Sequence, residues 1–325
     1  MRPFDLKKVD SPKTALTHKK DQVQFIAGGT NLVDLMKKNI SQPDTLLDIA
    51  TALSSTIEKQ GAHFHIGAMT RNTTIATDWI ILEHFPLLAK AVLAGASPQI
   101  RNMASTAGNL LQRTRCPYFY DSTTACNKRK PGSGCSAYDG QNRMSAVIGY
   151  SKDCVAVHPS DLCIALVALD AKVHVTHKDQ KKSVIAFQDF HRLPGNEPHR
   201  DNTLPEHALI TSVELTANAI FKHCAYVKVR DRDSYAFALV SVAAALQLDG
   251  DQIVEARLAS GGVAHKPWRW LKAEQFLKGK KATASIFSEA AELIVSDLKP
   301  LSHNGFKIPM LKGAVETALS QCLTV

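Results

Sequence analysis

No run of 18 apolar residues occurs in the 325-residue chain, and its start, MRPFDLKKVDSPKTA, has no apolar core. Neither a membrane-spanning helix nor a secretory signal is therefore expected, and the N-terminus by itself reads as cytoplasmic. No long basic tract or aromatic-interleaved stripe accompanies the formal charge of +9; the lysines come as dispersed pairs such as Lys19–Lys20, Lys37–Lys38 and Lys280–Lys281. That dispersion argues against nucleic acid and for a solvated surface or the rim of an anionic cofactor site. Internal repeats and low-complexity tracts are missing. So are His-Glu-x-x-His spacing, a nucleophile elbow and a lone activated thiol, which leaves the thirteen histidines as surface or hydrogen-bonded residues and assigns no catalytic residue to the chain.

What is present fits a soluble folded protein: 45% apolar and 21% charged residues, in a length that suits two or three packed units of roughly 100–150 residues. VQFIAGG (23–29) reads as a strand stopped by Gly28-Gly29, and TNLVDLMKK restarts with helical spacing at Leu32, Leu35 and Met36. DTLLDIA and HFHIGAMTR read as strands, residues 74–94 as one helix before Pro98, and HPSDLCIALVALDA as a helix capped at Ser160 or Asp161 and running to about Leu169. RLPGNEPHRDNTLPE (192–206) reads as an exposed loop, followed by a strand at ALITSVEL. The remainder gives a strand at CAYVKVR, a helix at SYAFALVSVAAALQL, a strand at 253–259 and helices at 283–298 and 313–322.

Two short turns have phosphate-cradling composition. AGGTN follows a strand and opens a helix, where glycine admits close backbone approach and the helix N-terminus is partly positive. It is not a Walker loop, since no Gly-Lys-Ser/Thr follows, and it has two glycines rather than the three of the dinucleotide fingerprint. STAGN (105–109) is a second such turn. Each alone is either a ligand loop or a tight connection, but two suit the two phosphates of a pyrophosphate.

Seven cysteines is an odd count, and five of them fall between Cys116 and Cys163, unlike an even disulfide framework. Cys116, Cys126, Cys135 and Cys154 are spaced C-x9-C, C-x8-C and C-x18-C, without the paired C-x2-C knuckles of zinc ribbons. An iron–sulfur cluster, a zinc site and ordinary free thiols all remain open on spacing. Arg113, Arg115, Lys128, Arg129 and Lys130 would offset thiolate charge and ease deprotonation, while Gly132 and Gly134 would let the loop wrap. Cys163, Cys224 and Cys322 read as buried core thiols.

The order FIAGGTNLVDLMK, ASPQIRNMASTAGNL, HPSDLCIALVALDA, YVKVRDRDSYAFALVSVAAAL and GGVAHKPWR resembles the flavin subunit of the xanthine dehydrogenase family of molybdenum hydroxylases, over almost the whole chain. The resemblance implies an α+β fold: a two-subdomain FAD-binding unit of the PCMH/vanillyl-alcohol oxidase-like kind at 1–216 (subdomains about 1–55 and 56–216), then a smaller α+β C-terminal domain at 217–325. It implies FAD contacts from Phe25, Ile26, Ala27, Gly28, Gly29, Thr30, Asn31 and Leu32, and from Ser105, Thr106, Gly108 and Asn109. Asp161 would meet the flavin's polyol or ring side, with Lys228 as a basic residue nearby. Tyr235 either approaches the flavin or packs on its neighbours, and His158 and His265 fall in family motifs without assigned chemistry. Where the family reads Gly-Gly-Asn, Ala107 stands first; at a positive φ it would cost on the order of 1 kcal/mol.

The cysteine insertion at 113–154 resembles the periplasmic-type aldehyde oxidoreductase variant, in which the flavin subunit carries an additional 4Fe-4S cluster on Cys116, Cys126, Cys135 and Cys154. Implied partners are a small 2Fe-2S subunit and a large molybdenum-cofactor subunit in a heterotrimer, with electrons leaving through FAD to an external acceptor. The implied compartment is the periplasm, reached in a co-exported complex, which contrasts with the cytoplasmic reading of the N-terminus. A self-contained flavin oxidase and a zinc-stabilised non-catalytic scaffold are the alternatives.

Overall fold

The structure is a computed structural model that describes residues 1–324; Val325, the end of the expected C-terminal domain, lies outside the described residues. Strands β1 (Asp5–Lys8), β2 (Val23–Ile26) and β3 (Thr45–Asp48) form a parallel sheet in the order β1-β3-β2. An antiparallel sheet, ordered β4-β5-β8-β6-β7, contains β4 (Ile57–Gln60), β5 (His63–Gly67), β6 (Lys172–Thr176), β7 (Lys182–Ala186) and β8 (Leu209–Thr216). Here the period-2 signal holds: Phe64 and Ile66 are buried and stand opposite Leu215 and Val213. A third sheet, ordered β12-β11-β10-β9, is made by β9 (His223–Val229), β10 (Val240–Asp249), β11 (Gln252–Gly261) and β12 (Trp268–Arg269). The fold is mixed α and β, a larger N-terminal unit followed by a smaller C-terminal one.

Two helix readings need correction. SYAFALVSVAAALQL is not helical: residues 240–249 are the central strand β10. Ala243 and Ala245 pack into the large core with the helices Pro86–Ala94 and Asp161–Ala168, while Val242, Ala244 and Leu246 face the core built with Leu271–Leu277, Ala284–Val295 and Lys307–Gln321. A strand buried on both faces has no polar alternation, so its sequence is a continuous apolar run. The expected helix at 74–94 is three: Asn72–Thr77, Trp79–His84 and Pro86–Ala94. Asp78 leaves helical geometry to cap the second through Ile80 N, and Pro86 opens the third after non-helical Phe85. The strand Asp5–Lys8 and the helices Pro12–His18 and Leu271–Leu277 were not expected.

The helix Asp161–Ala168 is capped by Ser160, whose Oγ accepts from Cys163 N at 3.1 Å, as the sequence suggested. The segment 192–206 has no regular element but is not wholly exposed: Pro194 and Pro198 are buried, and the Asp201 side chain turns inward.

Candidate functional site

The two glycine turns touch. A Cβ on Gly28 would lie 1.8 Å from the Met103 carbonyl oxygen, so only glycine permits this approach, and Gly29 has a φ of +70°. Thr106 N and Ala107 N donate to the carbonyls of Thr70 and Ala68 at 2.9 and 3.0 Å, which anchors the second turn to the end of β5. Ala107 has no positive φ, so it carries no strain at the position where the family reads glycine.

On one side of this contact is a cavity of about 540 Å³, lined by every residue from Phe25 to Leu32 together with Ser105 and Gly108. On the other is a cavity of about 650 Å³, lined among others by Asn109, Asp161 and Lys228. Thr30, Asn31 and Gly108 border both, so the glycine turns form a neck between two lobes, each of the size usual for a ligand site. Thr106 lines neither lobe: it is buried, and its hydroxyl donates to Thr70 O at 2.9 Å. Asn109 Oδ1 accepts from Ser160 Oγ at 2.5 Å, joining the second turn to the cap of the helix Asp161–Ala168.

Asp161 and Lys228 are one ion pair. Lys228 Nζ stands 2.8 Å from Asp161 Oδ2 and also donates to Ala94 O at 3.0 Å, with both side chains under 10% exposed. Tyr226 donates its hydroxyl to Asp161 Oδ1 at 2.8 Å; burial first, then the Asp161 charge, raise its pKa well above the ordinary tyrosine value. The sequence reading missed most of the rim of this lobe, where Arg115, Arg143, Asp231, Arg232 and Phe237 converge from separate segments. Arg115 lies over the Phe237 ring at 5.3 Å. Tyr235 lines the lobe too, exposed rather than packed in a helix, with a φ of +51° and Arg232 against its ring. Of this rim the sequence points to Tyr235 as a flavin candidate and to Arg115 as a neighbour of the cysteines; the folded chain joins them to Arg143.

The four cysteines come together. Cys116, Cys126, Cys135 and Cys154 line one small enclosed cavity. Cys126 and Cys135 face each other across an isolated antiparallel bridge, and positive φ at Gly132 (+81°) and Gly134 (+100°) bends the chain between them, as expected. Among the described residues, the groups of three or more His, Cys, Asp or Glu ligand atoms within 4.8 Å of one another lie elsewhere. No three of the four cysteine sulfurs therefore lie all within that distance of one another.

Of the basic residues, Lys128 acts on Cys154 in the direction the sequence suggested. Burial pushes the Cys154 thiol up to about 12 despite the opposing charge of Lys128, and burial raises Cys116 as well. Burial outweighs the cation at Cys154. Arg113 pairs with Asp201, Arg129 donates to the carbonyls of Tyr118 and Phe119, and Lys130 is exposed; of the five, only Lys128 lines the cavity.

Beside it lie three buried histidines. His191 Nε2 donates to Leu110 O and His265 Nδ1 to Arg192 O, each at 2.9 Å, while His158 Nε2, His191 Nδ1 and His265 Nε2 have no hydrogen-bond partner among the described residues. Burial lowers all three pKa values, to about 4 for His191 and His265. Cys163, Cys224 and Cys322 are buried core thiols, as expected. Among the described residues no helix is long and apolar enough to cross a membrane.

Residues 3–216 match the family model for the FAD binding domain in molybdopterin dehydrogenase, and residues 225–315 that for the CO dehydrogenase flavoprotein C-terminal domain. The chain belongs to this flavoprotein family. It is 44% identical to the aldehyde oxidoreductase FAD-binding subunit PaoB of Escherichia coli (strain K12), over 99% of this chain and 98% of that protein. The glyceraldehyde dehydrogenase medium chain of Sulfolobus acidocaldarius is 27% identical over 88% of this chain and 84% of its own. Two solved structures share the fold, each with a TM-score of 0.77 over 99% of this chain and 98% of theirs: quinoline 2-oxidoreductase from Pseudomonas putida 86, at 20% identity, and carbon monoxide dehydrogenase from Hydrogenophaga pseudoflava, at 21%. Membership makes the chain an FAD-binding oxidoreductase component.

Two outcomes follow from this geometry. Lys228→Met strands the buried Asp161 carboxylate and is expected to cost about 3–5 kcal/mol in urea unfolding, whereas the Asp161→Asn/Lys228→Met pair costs clearly less; equal losses would show that the ion pair is not the coupling. The histidines, neutral when folded, are charged more readily in the unfolded chain. Their contribution is present above pH 6.5 and is lost as pH falls from about 6.5 to 4, by about 3 kcal/mol at most for His191. Urea titrations across that window should show a shallower loss for His191→Gln than for the parent.

Proposed function

We propose that this chain is the FAD-carrying, electron-output subunit of a molybdenum-containing aldehyde oxidoreductase. The observation that carries the reading is the neck where two glycine turns meet between two lobes, in a chain 44% identical along its length to an aldehyde oxidoreductase FAD-binding subunit. Backbone groups of residues 27–32, with Ser105 and Gly108, would hold the pyrophosphate there, and the Asp161–Lys228 pair with Asn109 would border the flavin-side lobe. Bound FAD supplies the electron-accepting and electron-donating chemistry. The protein's own part is to position it, to enclose it, and to present a basic rim at Arg115, Arg143 and Arg232.

The four thiols would hold a 4Fe-4S cluster. Four soft ligands converge on one cavity, and a cluster spreads its ligands over several metal corners. The zinc-stabilised scaffold is the alternative, and zinc in place of iron on metal analysis would favour it. The complex would be a heterotrimer, in which a large molybdenum-cofactor subunit oxidises the aldehyde, a small 2Fe-2S subunit relays electrons, and an external acceptor takes them from this chain. Its place would be the periplasm, after export as a folded complex; fractionation of cells for the assembled protein tests this.

Anaerobic purification with co-purifying chains, followed by iron, sulfide and flavin analysis of this chain, should give one FAD and about four irons. Flavin without iron would sink the cluster reading, and absence of flavin the whole proposal. A single chain that oxidises aldehydes unaided would favour a self-contained oxidase. Gly28→Ala, which sets a methyl group against the Met103 carbonyl, is expected to lower flavin affinity roughly tenfold or more, a cost of about 1.4 kcal/mol, with iron content unchanged.

A further inference from the structure

Asp201, in the segment 192–206, receives cations from two other parts of the chain. Its Oδ2 accepts from Arg113 Nε at 2.7 Å, and its Oδ1 accepts from Lys128 Nζ. The Lys128 side chain is 1% exposed and also donates to Pro198 O at 2.8 Å. Arg113 in turn donates its backbone N–H to Asn31 Oδ1 of the first glycine turn, at 2.9 Å. Among the five basic residues flanking the cysteines, Lys128 is the one in the wall of their cavity, and its charge acts directly on Cys154. Two cations stand against the Asp201 carboxylate, and Asp153, which also lines the cavity, brings a second carboxylate; Lys128 is the fully buried charge of the set. In a dry interior such a charge is weakly screened, and net charge is one of the terms that set the potential of a thiolate-ligated cluster.

We infer that Lys128, held in place by Asp201, is the fixed cation that favours the more reduced, more negative state of the cluster in this cavity. The inference rests on the four-thiol reading above. The step concerned is the gain of one electron by the cluster from an external reductant; no bond forms or breaks at Lys128, which acts through its charge alone.

The test is a mediated dithionite titration of the anaerobically purified full chain with its co-purifying subunits, in which low-temperature EPR reads the ratio of reduced to oxidised four-iron cluster at a fixed potential. Lys128→Gln removes the charge and is expected to lower that ratio about tenfold, equivalent to about 59 mV for one electron. Asp201→Asn removes the anion and is expected to raise it, while Lys128→Arg, which keeps the charge, leaves it close to the parent value. A purely structural role would move neither ratio, or both in the same direction. Parent protein without a four-iron cluster overturns the thiol reading and this inference with it. A cluster present, with the ratio unchanged in both charge variants, overturns the role of Lys128 alone. Should Lys128→Gln not accumulate as folded protein, Asp201→Asn decides: an unchanged or lowered ratio is fatal to the inference.

Discussion

The approach of Gly28 to the Met103 carbonyl is the constraint on which the binding architecture depends. Any side chain at residue 28 would force the first turn away from the second, and the neck shared by the two lobes would open. The contact needs support from both sides: β2 delivers residues 27–31 at its C-terminal end, and hydrogen bonds to Ala68 and Thr70 fix the second turn. The helix Asp161–Ala168 joins the arrangement through Ser160 and Asn109, so the lobe beyond the neck is built on a packed core rather than on loops alone.

Polar groups buried around these cavities are tied in sets. Asp161 is shared by Lys228 and Tyr226, and Asp201 by Arg113 and Lys128. Each carboxylate links segments distant in sequence, and removing one partner strands the others in a medium that penalises unpaired charge. The cysteine loop has a different economy. Its thiols are held by the bridge between Cys126 and Cys135 and by the turn at Gly132–Gly134, with Lys128 as the charged residue beside them.

Much of this was legible in the sequence wherever signals are local. The strand-turn-helix at 23–37, the cap at Ser160 and the positive-φ glycines of the cysteine loop depend on nearest neighbours, and they stand where composition put them. Local reading fails where the environment decides. β10 looks helical because it is covered on both faces, information that resides in the helices and strands packed against it. The basic residues near the cysteines suggested activated thiols, but the directions of Arg113 and Arg115 are set by Asp201 and Phe237 far along the chain, and that of Arg129 by nearby backbone carbonyls. The rim of Arg115, Arg143, Arg232 and Tyr235 exists only once three segments are folded together.

The alanines of β10 have a mechanical consequence. Because Ala243 and Ala245 face one core and Val242, Ala244 and Leu246 the other, a single strand serves as the common wall of both domains, with side chains short enough to let the helices Pro86–Ala94 and Asp161–Ala168 lie close against it. Separating the two halves would expose the alanine face of this wall to water, a cost that opposes any pivot between them.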